Sequence, residues 1–113
     1  MNNKASKIYS IKVPDTVKYI GKEAFADAKL LGDIELSSTM KYLGEGAFRN
    51  CINLKDVTIS SSLQVINEET FKGCVSLDMV ELPVSLKVIR KNAFKGVGNS
   101  CKMKVSNNTT CIF

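Results

Sequence analysis

The side chains able to do chemistry in this chain are few in kind. Four thiols stand at Cys51, Cys74, Cys101 and Cys111, histidine is absent, and 11 carboxylates face 16 basic side chains. A zinc site of thiolates calls for close pairs such as C-x-x-C, and here all four cysteines would have to be gathered from distant places. Without histidine no imidazole serves as a general base near neutral pH. No G-x-S-x-G, H-E-x-x-H or G-x-x-x-x-G-K-[ST] string occurs. "LGEGAF" (Leu43–Phe48) has two glycines of a nucleotide fingerprint and lacks the third. The carboxylates could in principle support glycoside hydrolysis, but that chemistry needs a pocket to desolvate an acid. The expectation is a non-enzymatic protein with no cofactor and no metal.

A length of 113 residues, 44% hydrophobic and 24% charged, suits a single folded domain, 1–113. The net charge of +5 is spread from Lys4 to Lys104 without a dense basic block, which argues against nucleic acid as a partner. No run approaches the ~20 apolar residues of a bilayer span, so membrane insertion is not expected. The opening MNNKASKIYS lacks the apolar segment of a signal peptide. Asn107 and Asn108 each begin a glycosylation sequon, which matters only in a eukaryotic secretory pathway.

What must position any site is a repeat. Phe25, Phe48, Phe71 and Phe94 recur at a fixed step, preceded by Ala24, Ala47, Thr70 and Ala93. The same step carries Ile11, Ile34, Val57 and Val80; Val13, Leu36, Ile59 and Leu82; Val17, Met40, Leu63 and Leu86; and Ile20, Leu43, Ile66 and Ile89. Met103, Val105 and Ile112 continue these columns into the tail. One coil of this kind has apolar side chains on one side and no internal partner for them; stacking coils turns each column into a buried ladder. The repeats run 8–30, 31–53, 54–76 and 77–99, after a polar lead-in 1–7 and before a partial repeat or C-terminal cap, 100–113.

Each repeat opens with L-x-x-I-x-V, as in "LKDVTIS" (Leu54–Ser60), whose alternation reads as a short half-buried strand. Pro14 and Pro83, with Ser37 and Ser60 in the same column, follow it. A second apolar pair, as in "SLKVI" (Ser85–Ile89), reads as another short strand. Gly21, Gly44 and Asn67 share a column that points to a left-handed turn, although Arg90 in that column fits it poorly. The segments "KEAF", "EGAF", "EETF" and "KNAF" could each make one helical turn, too short for an independent helix. Cys51 and Cys74 share a column with Ala28 and Val97, so they read as buried free thiols. Cys101 and Cys111 lie on opposite sides of a coil if the tail keeps register, and could form a disulfide if it folds back as a cap.

The string "VELPVSLKVIRKNAFKG" (Val80–Gly96), with variants beginning at Ile11, Ile34 and Val57, resembles the BspA-like leucine-rich repeat, close to I-x-L-P-x-S-L-x-x-I-G-x-x-A-F-x-x-C. The match runs from Ile8 to about Val105. It departs at Ser37 and Ser60, Asn67 and Arg90, Thr70, Ala28 and Val97, none of them in a large apolar column. The resemblance implies a leucine-rich-repeat solenoid of about 4.5–5 repeats: a right-handed coil, a parallel sheet on one face, irregular or short 3-10 segments elsewhere. It also implies an extracellular or cell-surface protein that attaches to host or bacterial surface proteins, or to itself, and it brings no catalytic residue.

Alternation along the first strand places one set of residues outward on the sheet face. These are Ser10 and Lys12, Asp33 and Glu35, Asp56 and Thr58, Met79 and Glu81, and Lys102 and Lys104. The middle strands are acidic and the end strands basic, while Lys18, Lys41 and Lys87 form a basic column elsewhere, as do Arg49, Lys72 and Lys95. Carboxylates on neighbouring strands repel, which favours a compensating partner. The candidate protein-binding residues are Lys12, Asp33, Glu35, Asp56, Thr58, Met79, Glu81 and Lys104; the alternative is a face that is merely solvated. A second expectation is homo-oligomerisation through the solenoid's open ends, which expose core and strand edges unless capped.

Overall fold

The computed structural model describes residues 8–59, 62–98, 100–105 and 108–112. The lead-in 1–7, Ser60 of the strand-stop column and Asn107 of the first sequon lie outside the described residues. Ten short strands follow in order: β1 (Ser10–Lys12), β2 (Tyr19–Ile20), β3 (Asp33–Glu35), β4 (Tyr42–Leu43), β5 (Asp56–Thr58), β6 (Val65–Ile66), β7 (Met79–Glu81), β8 (Val88–Ile89), β9 (Lys102–Lys104) and β10 (Thr110–Cys111). No helix is present among the described residues. The odd-numbered strands form one five-stranded parallel sheet, in the order β1-β3-β5-β7-β9. Every pairing repeats the sequence step, with Ile11 opposite Ile34, Ile34 opposite Val57, Val57 opposite Val80, and Val80 opposite Met103. The tail therefore keeps register, and Cys101 and Cys111 sit at different faces of the coil as free thiols.

The segments around the phenylalanines are turns rather than helices, and they form a third hydrogen-bonded face. Alternate N–H groups take different partners. Ala24, Ala26 and Ala28 donate back to Gly21, Glu23 and Phe25, whereas Glu23, Phe25 and Asp27 donate to Glu45, Ala47 and Arg49 of the next coil. A chain that alternates in this way needs left-handed residues at intervals. They occur in two columns: Glu23 (φ 55°), Gly46 (63°), Glu69 (59°) and Asn92 (61°), and Asp27 (63°), Asn50 (59°), Gly73 (79°) and Gly96 (84°). Glu23 and Glu69 are unusual occupants of that region; Glu23 N–H donates to Glu45 O of the next coil at 3.0 Å, and the Glu69 carboxylate meets Arg49 of the preceding coil at 3.3 Å. The two columns flank the phenylalanine, whose rings stack at centroid distances of 5.5, 5.6 and 5.3 Å, nearly parallel. Phe48 and Phe71 are fully buried, and Phe25 and Phe94 at the two ends are partly exposed.

The column of Gly21, Gly44, Asn67 and Arg90 is not left-handed, which corrects the sequence reading. Its glycine serves close approach instead. A Cβ at Gly44 would clash with the Lys22 backbone N and stand 2.5 Å from the Gly21 carbonyl carbon, so a side chain there cannot fit without moving coil one. At Gly21, in the first coil, the same atom would meet nothing within 4 Å. Where Asn67 replaces glycine, the second sheet is interrupted: β2 pairs with β4, β6 with β8 and β8 with β10, but β4 and β6 are not paired. The Asn67 side-chain Nδ2 donates to the Leu43 carbonyl at 2.6 Å in place of a ladder bond. At Arg90 the backbone bond returns, N–H to Ile66 O at 2.9 Å.

Polar side chains inside the stack are satisfied by the preceding coil or their own. Thr39, Ser85 and Thr109 donate to carbonyls of Asp15, Leu63 and Leu86 at 2.7, 2.7 and 2.8 Å. Buried Thr70, in the alanine column, donates to Asn67 O at 2.7 Å. Cys51 and Cys74 are buried free thiols that donate to Phe25 O and Phe48 O at 3.2 and 3.1 Å. A hydrogen bond with the Cys51 thiol, together with burial, pushes the Cys74 thiol far above its ordinary range, and burial pushes Cys101 up as well.

Two outcomes are expected. Gly44→Ala lowers unfolding free energy by about 1–3 kcal/mol in urea titrations, as overpacking does, while Gly21→Ala stays within about 0.5 kcal/mol; equal losses would remove the close-approach explanation. Cys74 is a neutral thiol in the fold, and with Cys51 it lies wholly inside the stack. Native labelling with a thiol reagent should accordingly modify Cys111 first and Cys101 slowly, with Cys51 and Cys74 reacting only on unfolding.

Candidate functional site

The five-stranded sheet turns one side chain of each strand inward and two outward, and the outward set is the one the alternation marks. All ten outward residues are exposed. Direct register sorts them into two rows. One reads Lys12, Glu35, Thr58, Glu81, Lys104, so each glutamate has a lysine as its cross-strand neighbour and Thr58 separates the two acids. The other reads Ser10, Asp33, Asp56, Met79, Lys102, which sets two aspartates side by side. Ser10 Oγ donates to Asp33 Oδ1 at 2.6 Å, relieving one of them. The face therefore carries a negative centre between positive margins, with Met79 offering an exposed apolar surface (52%) beside it. Its four carboxylates are all exposed, and a hollow of about 290 Å³ lies at its edge beside Lys12, Glu35 and Ser37.

The turn face carries the ion pairs. Arg49 reaches Glu23 in the previous coil at 2.9 Å and Glu69 in the next at 3.3 Å. Hydrogen bonding to Glu69 leads the effects that raise the guanidinium pKa above its already high ordinary value. Lys72 also meets Glu69, at 3.6 Å. The basic column of Arg49, Lys72 and Lys95 is thus partly neutralised within the fold. The column of Lys18, Lys41 and Lys87 is exposed and forms no ion pair among the described residues.

Three concavities matter. At the C-terminal end an apolar cleft of about 450 Å³ is lined by Ile89, Ala93, Phe94, Met103, Val105 and Ile112. At the N-terminal end one of about 330 Å³ is lined by Ile11, Val13, Val17, Ile20 and Phe25. These are the same columns at the two ends of one stack. The third, about 430 Å³ and polar, opens where β4 and β6 part, between Lys41, Tyr42, Ser62, Gln64, Asn67 and Arg90. Sequence reasoning passes over this cleft; the only signal was Tyr19 and Tyr42 recurring at the repeat step as neighbours of Lys18 and Lys41. Among the described residues no group of three or more acidic, cysteine or histidine side chains could hold a metal ion. No helix among them is long and apolar enough to cross a membrane.

Comparison with known proteins agrees with this architecture. A leucine-rich cell surface protein of Faecalibacterium prausnitzii A2-165 superposes with a TM-score of 0.81 at 26% identity, over 93% of this chain and 31% of its own. A leucine-rich repeat protein of Bacteroides ovatus ATCC 8483 gives 0.68 at 25% identity, over 95% of this chain and 34% of its own. The chain thus spans about a third of each of these solved chains. No curated protein matches it significantly. The model of the BspA-type leucine-rich repeat region matches residues 2–112 in six copies. With its 23-residue register, its stacked phenylalanines and its parallel solenoid, the chain belongs to the BspA-type leucine-rich repeat family.

Proposed function

We propose that this solenoid is a non-catalytic protein-binding module of an extracellular or cell-surface protein, and that it docks its partner on the five-stranded face. The observation that carries the reading is the patterned row across five strands, in which Glu35 and Glu81 flank Thr58 and Lys12 and Lys104 close the ends. A rigid parallel sheet holds these charges at fixed spacing, which favours a partner with a complementary basic centre and acidic margins. Asp33 and Asp56 reinforce the centre, and Met79 supplies a desolvatable contact of the kind interface cores use. The partner is a host or bacterial surface protein, and adhesion is the role this implies; the Faecalibacterium neighbour is itself described as a cell surface protein.

A second reading rests on the two end clefts. Ile11, Val13, Ile20 and Phe25 at one end occupy the columns of Met103, Val105, Ile112 and Phe94 at the other. A second copy placed head to tail would continue every ladder, and such heterologous contacts propagate instead of closing.

Two measurements test these readings. Immobilised E35K/D56K/E81K, compared with the unaltered chain against purified matrix, serum and bacterial surface proteins, should lose at least about tenfold in affinity for whichever binds, or ~1.4 kcal/mol, with its thermal unfolding curve unchanged. Full affinity in the triple variant removes the sheet face as the site. In sedimentation velocity, end pairing shows as a weight-average coefficient that rises with concentration and falls back in Ile112→Lys; a monomer throughout the range overturns it.

A further inference from the structure

The narrow face built from β2, β4, β6, β8 and β10 carries a surface distinct from the five-stranded one. Two features meet there. Tyr19 and Tyr42 stand in direct register on paired strands and are 70% and 47% exposed. Beside them lies the polar cleft opened by the missing β4–β6 pairing. Coils one and two are joined at this level by Lys41 N–H to Lys18 O and Gly44 N–H to Ile20 O, both 2.8 Å, and coils three and four by Lys87 N–H to Gln64 O at 2.8 Å. Between coils two and three, among the described residues, side chains bridge at this level: Asn67 to Leu43 O, and Ser62 to Ser38 O.

The groups around the cleft are of one chemical character. Asn67 spends its Nδ2 on Leu43 O, which leaves its amide oxygen as an acceptor. Gln64 makes no side-chain hydrogen bond among the described residues, and both its amide groups are available. Among the described residues Lys41 forms no ion pair, and Arg90 meets only Glu68, through Nε at 4.0 Å, keeping its terminal nitrogens. Lys18 lies one coil to one side and Lys87 two coils to the other, so ammonium groups follow the stack at steps of about 5 and 10 Å set by strand spacing. Exposed aromatic faces beside amides and unpaired cations suit a ligand with apolar ring faces, many hydroxyls and regularly spaced negative charge.

We infer that this face binds an acidic polysaccharide, with sugar rings lying on Tyr42 and Tyr19, hydroxyls on Gln64 and Asn67, and acid groups on Lys41, Arg90 and the flanking lysines. A chain of pyranose units places its carboxylate or sulfate groups at intervals a lysine column can follow, and its hydroxyls match the bidentate amides. Nucleic acid fits less well, because the cations are too few and too widely spread for the phosphate density of its backbone. An acidic peptide fits less well because the aliphatic lining of the cleft is limited to half-buried Val65, too little to seat an apolar anchor.

The absence of tryptophan makes tyrosine emission a direct probe, since two of the three tyrosines lie on this face. Titrations with oligogalacturonate and with heparin oligosaccharide, read by tyrosine fluorescence and calorimetry, should show saturable binding by at least one; the tighter identifies the acid as carboxylate or sulfate. Neutral dextran should not bind, and added salt should weaken the interaction. Y42A and K41Q/R90Q should each lose at least tenfold in affinity, whereas E35K/D56K/E81K should keep it, which separates this inference from docking on the sheet face. Circular dichroism of each variant confirms the fold. The inference is overturned if neither acidic oligosaccharide saturates, if folded Y42A and K41Q/R90Q bind as the unaltered chain does, or if a single-stranded oligonucleotide or polyglutamate binds as tightly.

Discussion

Each coil of this molecule is completed by the next through backbone hydrogen bonds at one constant offset. Phe25 N–H meets Ala47 O, Phe48 N–H meets Thr70 O and Phe71 N–H meets Ala93 O, at 2.8–2.9 Å in all three cases. The five-stranded sheet pairs residues one full repeat apart on another side of the coil. Buried N–H and C=O groups must be paired, and a coil this small has too few internal partners. The offset therefore dictates both what may fill the interior and what must face out. Aromatic rings align because the backbone around them aligns, and the two buried thiols, Cys51 and Cys74, share a column that also takes alanine.

Much of this was legible in the residues. The apolar columns identify the inward positions, and the alternation in "DIE", "DVT" and "MVE" identifies the outward ones, so the charge rows could be written down before any coordinates. The glycine column shows where such reading stops. Absence of a Cβ serves either a left-handed backbone or a close neighbour, and composition cannot tell the two apart. At Gly44 it is the neighbour. The left-handed positions lie in two other columns: Asp27, Asn50, Gly73 and Gly96 are of types that tolerate that region, whereas Glu23 and Glu69 in the other column give no hint of it. The polar cleft was hidden for a related reason. It arises from a pairing that fails between β4 and β6, and a single asparagine in a column does not reveal whether a ladder breaks there.

The two exposed faces differ in how they are constructed. On the five-stranded side, unbroken pairing makes a stiff grid, and the charges upon it vary without disturbing the core. On the narrow side, strands of two residues give little backbone pairing, and side chains take over part of the bonding. The ion pairs collect at the third side, where Arg49 ties its own coil to those on either side of it. Partly exposed pairs of this kind contribute modestly to stability, but they occupy cations that would otherwise be open to solvent.

The interrupted second sheet also sets how the coils are joined at one level of the stack. Coils two and three are paired by backbone along the five-stranded side, where Asp33–Glu35 meets Asp56–Thr58, and not along the narrow side. There an amide side chain, and not a strand, ties Asn67 to Leu43 O. A stacked protein holds together through its nearest-neighbour interfaces. The identity of one residue therefore governs half of the joint between two coils, while the ladder on the other side is left to the backbone alone.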